Sequence, residues 1–533
     1  MGNSSNDGDG RLPHDRVPST VQGTEDAEEA VGPQSPPAPS QNDRRVHILS
    51  VAIPPAVALV GALLLGLWLL GDRREVDVQP RAGDMTVIDD TAVVPEEGAE
   101  DLEQPDDNEA PDEPAEIEII APEPDDRAEA APATRARQPR GNGGAWPAFR
   151  GGRRDGQARG ETGLASSWPQ DGPRKLWEIE MLGPGHGGAA IDNGRVYVLD
   201  YDRDSREDVL RCLSLADGRE IWRYSYAVDI RDNHGISRTV PAVADGYVVS
   251  LGPMGHVTCA RADSGEVLWR VDLRQAYGTS IPRWYAGQCP LIEDGKAIIA
   301  PGGRALMIAI DLATGSVEWE TPNPDGWDMT HASIMPARIG NSRQYVYPAS
   351  GGVVGVSSVD GSVAWKYSRW TVDTANIPTP VPTGDDRIFL TGGYGAGSML
   401  LSTRGGNPTQ VWKVPQRVFG SHQHTPILHQ NHLYGVAIDR QLVCLNLEGE
   451  RVWSSGHTAR FGLGPYLLAD GKLYVLSDDG TLVMAEATTS GYNELARAKV
   501  LPGPDAWAPM ALADGTLVLR DRDNMIALDV RKP

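Results

Sequence analysis

The sequence predicts an all-β fold, an eight-bladed β-propeller, preceded by one transmembrane helix and a disordered acidic linker. Three observations carry the propeller. A tryptophan recurs about every 41–50 residues from residue 177 onward, which is the period of four-stranded blades. Eight segments of the same stretch open alike, with a proline or small residue, an apolar run and a turn. The last of these copies is one strand short, and the first tryptophan strand can complete it.

The clearest copy of the repeat is Ala309–Trp319, a strand, a tight turn and a returning strand. Gly315 gives the turn a positive φ at little steric cost. Val317 and Trp319 are two residues apart and face the same side of the returning strand. Glycine precedes tryptophan by four residues in most copies, and Trp412 closes a longer version. The tryptophans of the structural repeat are Trp177, Trp222, Trp269, Trp319, Trp365, Trp412 and Trp453.

The order of the blades follows from where the eight segments begin. The last segment, residues 509–530, supplies only three strands, and Lys175–Glu180 is available as the fourth. Joining both ends of the domain in one blade closes the ring and removes exposed strand edges. Seven blades is the alternative, because the seventh copy has no tryptophan. The segments begin at or near Ala189, Pro241, Pro290, Pro336, Pro380, Pro426, Pro465 and Pro509.

The N-terminal part divides by composition into a disordered segment (1–45), a transmembrane helix (46–71) and an acidic Pro/Glu/Asp-rich linker (72–140), and the propeller occupies 141–533. Residues 48–70 form an uncharged run of about 23 residues, long enough to cross a bilayer. A cleaved signal peptide is the alternative, but a long polar segment precedes the run and no small-x-small site follows it. The linker serves as an extended spacer, with an acidic docking tail as the alternative.

The charge of the chain is concentrated before the propeller. Residues 72–134 carry about 22 acidic and 4 basic side chains, and residues 135–533 about 43 and 41. A nearly neutral propeller gives no indication of nucleic-acid binding. The four cysteines are too few for a disulfide framework in a chain of this size. Cys212, Cys259 and Cys444 occupy the repeat position of Ala309 and are expected to be buried structural thiols, and Cys289 is placed in the same class.

The hairpin sequence resembles the tryptophan-docking repeat of the quinoprotein-dehydrogenase-like, or PQQ-like, β-propellers. The motif is Ala309-x-Asp311-x-x-Thr314-Gly315-x-x-x-Trp319, and partial copies run from Trp177 to the C-terminus. The segment from Trp146 to Gly156 is similar to openings of PQQ-like repeat proteins from bacteria with complex envelopes. The resemblance therefore covers about residues 146–533 and implies the propeller fold.

The resemblance implies two functional branches. In PQQ-dependent alcohol dehydrogenases the quinone and a Ca²⁺ ion sit over the central axis, usually beside two adjacent cysteines, which this chain lacks. The other branch resembles BamB-type outer-membrane-assembly components, which bind partner proteins without catalysis and are usually lipid-anchored. We expect the second branch, with envelope proteins or a ligand at the propeller mouth as partners, no cofactor, and PQQ with Ca²⁺ as the alternative. The resemblance also favours an inner-membrane protein, anchored once through residues 48–70, whose propeller lies in the periplasm.

Polar side chains precede many of the blade starts and are expected to converge at one mouth of the central channel. The functional hypothesis is a ligand or metal site lined by imidazoles. The alternative, which we favour, is a hydrogen-bonded, solvated mouth, because no cysteine or carboxylate completes a metal set. His422 and His424 would face the same side if they lay on a strand. The candidate residues are His186, His234, Arg238, Trp284, His331, Asn376, His422 and His424.

No catalytic residue or metal ligand is predicted. Asp311 and the equivalent turn acids are expected to accept local hydrogen bonds rather than act as bases, and the chain shows no nucleophile elbow, phosphate loop or metalloprotease motif. We therefore expect a non-catalytic binding or scaffold module. A PQQ-dependent oxidoreductase and a carbohydrate-binding propeller, with Trp284 or Trp507 as the sugar platform, remain the alternatives.

Overall fold

The computed structural model describes residues 144–231 and 233–532, which form a closed ring of eight β-sheets. Each blade has four antiparallel strands, and one sheet carries a short fifth strand paired in parallel with its first strand. The first strands of neighbouring blades lie side by side around a central channel. The predicted disordered segment, transmembrane helix and acidic linker lie outside the described residues. Within the described ranges, no helix is long and apolar enough to cross a membrane.

Blades one to four follow the chain without interruption, and their strands are numbered from the channel outward. Short strand β1 (Gln157–Ala158) and strand β2 (Arg174–Glu180) precede them. The strands are β3 (Ala190–Asp192), β4 (Arg195–Asp202), β5 (Glu207–Ser214), β6 (Glu220–Ala227); β7 (Ala242–Ala244), β8 (Tyr247–Leu251), β9 (His256–Arg261), β10 (Val267–Asp272); β11 (Leu291–Glu293), β12 (Lys296–Ile299), β13 (Ala305–Asp311), β14 (Val317–Pro322); β15 (Met335–Ile339), β16 (Ser342–Ala349), β17 (Gly352–Ser357) and β18 (Val363–Tyr367).

Blades five to eight continue in the same way until the ring closes. Their strands are β19 (Val381–Gly384), β20 (Arg387–Gly392), β21 (Gly397–Ser402), β22 (Thr409–Val414); β23 (Ile427–His429), β24 (His432–Val436), β25 (Leu442–Asn446), β26 (Arg451–Ser454); β27 (Tyr466–Ala469), β28 (Lys472–Leu476), β29 (Thr481–Glu486), β30 (Glu494–Lys499); β31 (Ala511–Ala513), β32 (Thr516–Arg520) and β33 (Asn524–Asp529). Strand β2 pairs antiparallel with β33 and is the outer strand of blade eight. The predicted eight blades and the predicted ring closure are confirmed.

The helical content of the described chain is small and lies between strands. Helix α1 (Leu273–Tyr277) connects blades two and three, and the Asp272 carboxylate caps it by accepting the Arg274 and Gln275 N–H groups. Gly278 ends the helix at a φ of 66°. A 3-10 turn, Arg404–Gly406, lengthens the outer hairpin of blade five.

The repeat hairpin joins three successive blades. Gly315 lies against the ring of Trp269 from the preceding blade, and a Cβ there would approach that ring to 2.8 Å. The Trp269 indole donates to the Leu312 carbonyl at 3.0 Å. Trp319 of the same hairpin lies against Gly361 of the next blade. Each such hairpin therefore packs against a tryptophan of the preceding blade, and its own tryptophan packs against the next blade. These contacts hold adjacent blades together.

Trp365 departs from this pattern because the next blade presents the longer hairpin with the 3-10 turn. Its indole donates at 2.8 Å to the Gln344 side chain of its own blade. Trp365 also lies across Gly355, its cross-strand partner. The seventh blade carries Ala496 at the tryptophan position, opposite Met484. The repeat therefore tolerates loss of the docking contact at two interfaces.

The cysteines of the repeat lie where the sequence placed them. Cys212, Cys259 and Cys444 pair across the strand with Trp222, Trp269 and Trp453, as Ala309 pairs with Trp319. All four cysteines of the described chain are free and buried. Cys289 belongs to another position, two residues before the first strand of blade three.

The two faces of the propeller differ in what they carry. Antiparallel order places the loops between blades, with the turns between second and third strands, on one face, here called the loop face. The remaining turns of each blade lie on the opposite face, here called the turn face. The site candidates of the sequence belong to the loop face.

Candidate functional site: the two ends of the central channel

Residues 144–165, here called the channel segment, cross the channel on the side of the turn face. Trp146 exchanges two backbone hydrogen bonds of 2.8 Å with Ile191 of blade one. Two blades away around the ring, β1 runs parallel to β27 of blade seven. The segment leaves past blade eight, where Ala165 N–H donates to the Val530 carbonyl at 2.9 Å. The channel is therefore filled from the turn face by the chain itself.

Two arginines of the channel segment reach toward the loop face. Arg150 donates from its guanidinium to the carbonyls of Thr425 and Pro426. Arg154 donates to the equivalent pair in blade three, Pro290 at 2.8 Å and Cys289 at 3.1 Å. Both side chains are buried, and burial lowers the pKa of each guanidinium to about 10. They remain charged at neutral pH and hold the segment to opposite walls of the channel.

A chain of hydrogen bonds links the blade starts that these arginines contact. In blades two to five, the residue two positions before the first strand donates its N–H to the side chain of its counterpart in the next blade. The steps are Val240 N–H to Cys289 Sγ at 3.3 Å, Cys289 to Ser333 Oγ at 3.0 Å, Ser333 to Thr379 Oγ1 at 3.3 Å, and Thr379 to Thr425 Oγ1 at 2.7 Å. Cys289 is thus an acceptor in this chain, here called the blade-start relay.

The mouth on the loop face brings several of the candidate histidines into one cluster. His186 is buried, and its Nε2 lies 2.8 Å from the His234 carbonyl. His331 makes the same contact with the Arg283 carbonyl at 2.6 Å. A carbonyl can only accept, so Nε2 carries the proton in both rings. The imidazoles therefore tie together loops that enter different blades.

Arg238 lies between these two histidines. One of its Nη atoms donates to three carbonyls of its own loop, those of Asn233, His234 and Gly235 at 3.0–3.3 Å. Burial, with the Arg238 charge as a further cause, lowers the pKa of His186 to about 3 and that of His331 to about 4. Both rings are neutral near pH 7.

The remaining candidates surround this cluster or lie apart from it. The His186 ring stacks on Trp507 with centroids 4.9 Å apart, and the Trp507 indole donates to Asp478 at 2.8 Å. His424 is enclosed near Arg150, and burial lowers its pKa to about 4. Trp284 lies beneath the Arg283 guanidinium, 4.9 Å from ring centroid to carbon.

His422 and His424 do not form a pair. Residues 415–426 carry no strand, so the alternation that would place both rings on one side does not apply. The His422 ring meets Tyr394 edge-on at 5.1 Å, whereas the His424 ring faces Tyr466 at 6.0 Å. Asn376 is buried, and its one hydrogen bond to a described residue is a 3.4 Å contact to the Pro348 carbonyl. The structure thus links His186, His234, Arg238 and His331 and leaves His422 outside that group.

The residues of the mouth do not fit a Ca²⁺–quinone site. Calcium takes several oxygen ligands, with carboxylates prominent among them. The mouth presents guanidinium groups and neutral imidazoles, and Oδ1 of the Asp478 carboxylate accepts from both the Leu463 N–H and the Trp507 indole. Across residues 144–231 and 233–532, no three His, Cys, Asp or Glu side chains lie close enough together to hold a metal ion.

Sequence reasoning identified the mouth but missed the channel segment and the blade-start relay. The Trp146–Gly156 stretch was recognised only as a family-like opening. The sequence signal is the density of glycine and arginine between residues 150 and 156. In the structure, Arg150, Gly151, Arg154 and Gly156 all adopt a positive φ. Such a run marks a chain that folds tightly on itself rather than a strand.

Comparison with known proteins supports the propeller assignment. A family model described as outer membrane protein assembly factor BamB matches residues 205–448. A relative with the same description, from Moranella endobia (strain PCIT), is 20% identical over 289 residues, which is 51% of this chain and 70% of the relative.

Two solved structures are similar in shape. BamB from Moraxella catarrhalis is 12% identical, with 67% of this chain and 99% of that chain covered and a TM-score of 0.48. A europium-containing methanol dehydrogenase is 13% identical, with 72% and 89% covered and a TM-score of 0.53, a likeness that shows the fold alone. The sequence matches support a PQQ-like β-propeller, and the likeness to the methanol dehydrogenase supports the fold.

Proposed function

We propose that this protein is a non-catalytic binding module of the cell envelope, similar to BamB, and that it engages a partner protein at the loop-face mouth. The observation that carries the proposal is the mouth itself. Its buried imidazoles, His186 and His331, fasten loops of different blades to one another, and the half-buried Arg238 fastens its own loop. A surface fixed in this way is suited to recognition, because little conformational freedom is lost on binding.

The sequence match to an outer membrane protein assembly factor favours a partner in the same process. The PQQ-dependent oxidoreductase is disfavoured because the mouth presents cations and neutral imidazoles rather than the oxygen donors that Ca²⁺ prefers. The sugar-binding alternative is weakened because His186 covers one face of Trp507 and Arg283 covers Trp284.

We further propose that residues 48–70 anchor the chain in the inner membrane and that the propeller lies in the periplasm. The support is the length and lack of charge of that run. The full chain should stay in the membrane pellet after alkaline carbonate extraction, and a variant lacking residues 48–70 should be released.

Site-specific photo-crosslinking in the producing cells tests the mouth as the binding surface. A photoreactive residue replaces His234 or Arg283, both exposed on the loop face, and a matched control replaces Asp263, exposed on the turn face. The mouth positions should yield an adduct with a protein of outer-membrane assembly that the control does not yield. Equal adducts from both faces, or none from the mouth, would contradict the proposal.

A titration of the full chain with PQQ and Ca²⁺, followed by dye reduction with alcohols, tests the catalytic alternative. We expect neither quinone binding nor turnover. Saturable PQQ binding with dye reduction would replace the scaffold proposal with the oxidoreductase.

A further inference from the structure

Four buried arginines of this propeller and the half-buried Arg238 fall into two classes. Arg211 and Arg520, at the junction of blades one and eight, share the buried carboxylate of Asp200 at 2.9 and 3.6 Å, and Arg211 also reaches Glu220 at 2.8 Å. Arg150, Arg154 and Arg238, in and above the channel, have no carboxylate partner among the described residues. Among the described residues, the first set is therefore neutralised by ion pairs and the second set forms none.

An uncompensated buried cation is costly, because carbonyl dipoles replace only part of the lost hydration. The cost is visible in the groups around it. Burial lowers the pKa of Arg238 to about 10, and the Arg238 charge helps keep the nearby His186 and His331 neutral. A negative charge beside the Arg238 guanidinium would raise the pKa of Arg238 and offset its effect on the pKa of both histidines.

Arg238 also has a free edge. One Nη atom is occupied by the three loop carbonyls, and Nε is enclosed without a partner. The other Nη makes no hydrogen bond to a described residue and is not among the enclosed atoms, so it faces the mouth. Behind it, His186 Nδ1 and Ser237 Oγ are enclosed and also without partners. Arg238 is thus held in place on one side and open to a ligand on the other.

We propose that Arg238 is the specificity-determining residue of the mouth and that it binds a carboxylate presented by the partner protein, an acidic side chain inserted at the channel axis. This rests on the proposed function and names the chemistry of the partner. A carboxylate matches the planar guanidinium edge and supplies the missing charge.

Titration calorimetry on the detergent-solubilised full chain tests the assignment with capped hexaglutamate as the probe. Hexaglutamine tests whether the charge is needed, and inorganic phosphate at equal ionic strength tests whether any anion suffices. We expect saturable binding of hexaglutamate, none of hexaglutamine, and much weaker binding of phosphate. Equal binding of phosphate would overturn the carboxylate assignment, as would the absence of hexaglutamate binding.

Arg238→Gln should weaken hexaglutamate binding by about tenfold or more, because it removes a charge-assisted hydrogen bond. Arg238→Lys should bind hexaglutamate with an affinity between those of the wild type and Arg238→Gln, since lysine keeps the charge and loses the planar edge. Arg283→Gln is the matched control at the rim and should change affinity by less than about threefold. If Arg283→Gln weakens binding as much as Arg238→Gln, the mouth acts only as a diffuse positive surface and the proposal fails.

The wild-type titration decides the matter even if Arg238→Gln does not fold. The carboxylate assignment and the scaffold role can also fail separately. Crosslinking from the mouth to an assembly protein without hexaglutamate binding removes only the carboxylate assignment. Hexaglutamate binding without such crosslinks would support the carboxylate site and contradict the scaffold role.

Discussion

The two ends of the central channel are built from the same interaction and respond differently to their surroundings. One continuous segment enters from the turn face, and its guanidinium groups donate to carbonyls at the starts of blades three and six. At the loop face, imidazoles from separate loops donate to the carbonyls of their neighbours. A guanidinium keeps its proton at any physiological pH. A neutral imidazole, in contrast, gains a proton when the pH falls below its pKa. The sealed end is therefore a permanent fastening, whereas the mouth depends on its histidines remaining neutral.

The largest effect should come from breaking the sealed end at Arg150. Arg150→Ala leaves the Thr425 and Pro426 carbonyls without their donor and opens a cavity beside them. We expect a loss of about 2–5 kcal/mol in the free energy of unfolding, because each of the two buried carbonyls loses its donor at a cost of about 1–3 kcal/mol. Chemical denaturation of the full chain, followed by tryptophan fluorescence, measures it.

Arg153→Ala is the control, because Arg153 lies in the same segment with its side chain exposed. It should change the unfolding free energy by no more than about 0.5 kcal/mol. Similar losses for both variants would mean that the channel segment is held by its backbone and not by Arg150.

The blades could be predicted from the sequence because each one repeats a local pattern. Gly315 and Trp319 lie four residues apart, so the turn and the docking residue are visible together although they contact different neighbours. The missing fourth strand of the last copy determined the ring closure in the same way, since Trp177 was the remaining candidate. What repeats along a chain can be recognised without knowing its distant contacts.

The contacts of the channel could not be predicted, because they join residues far apart in sequence and occur once. Arg150 reaches a carbonyl 275 residues away, and Arg154 one 136 residues away. Nothing in the local pattern names those acceptors. Cys289 shows the same limit, since its neighbours in sequence suggest a repeat thiol and only the fold shows it accepting from Val240 N–H.

The second effect tests the mouth through pH. Burial holds the pKa of His331 at about 4, below the value of about 6.5 expected in the unfolded chain. The neutral ring is favoured in the fold, so its contribution is complete above pH 6.5 and declines as the pH falls toward 4. Between pH 7.5 and 5 the wild type should lose about 2 kcal/mol through this residue. His331→Gln, which keeps a donor for the Arg283 carbonyl, should lose correspondingly less.

Denaturation midpoints of both proteins at the two pH values supply the measurement. His457→Gln is the control, because His457 is exposed, and it should follow the wild type. If His331→Gln also loses the same stability on acidification, the mouth is not the pH-sensitive end and the contrast between the two ends disappears.

The smallest effect concerns the relay that lies between the ends. Thr379 accepts the Ser333 N–H and donates its own N–H to Thr425, whose carbonyl receives Arg150. Thr379→Val keeps the shape and removes the acceptor, so a buried N–H loses its partner at a cost of about 1–2 kcal/mol. Thr409→Val is the same change at an exposed outer-strand position and should be nearly neutral.

Combining Thr379→Val with Arg150→Ala gives a double-mutant cycle. A coupling energy near zero would show that the relay stabilises the ring alone, whereas a coupling above about 0.5 kcal/mol would show that the seal and the mouth share one hydrogen-bonded support.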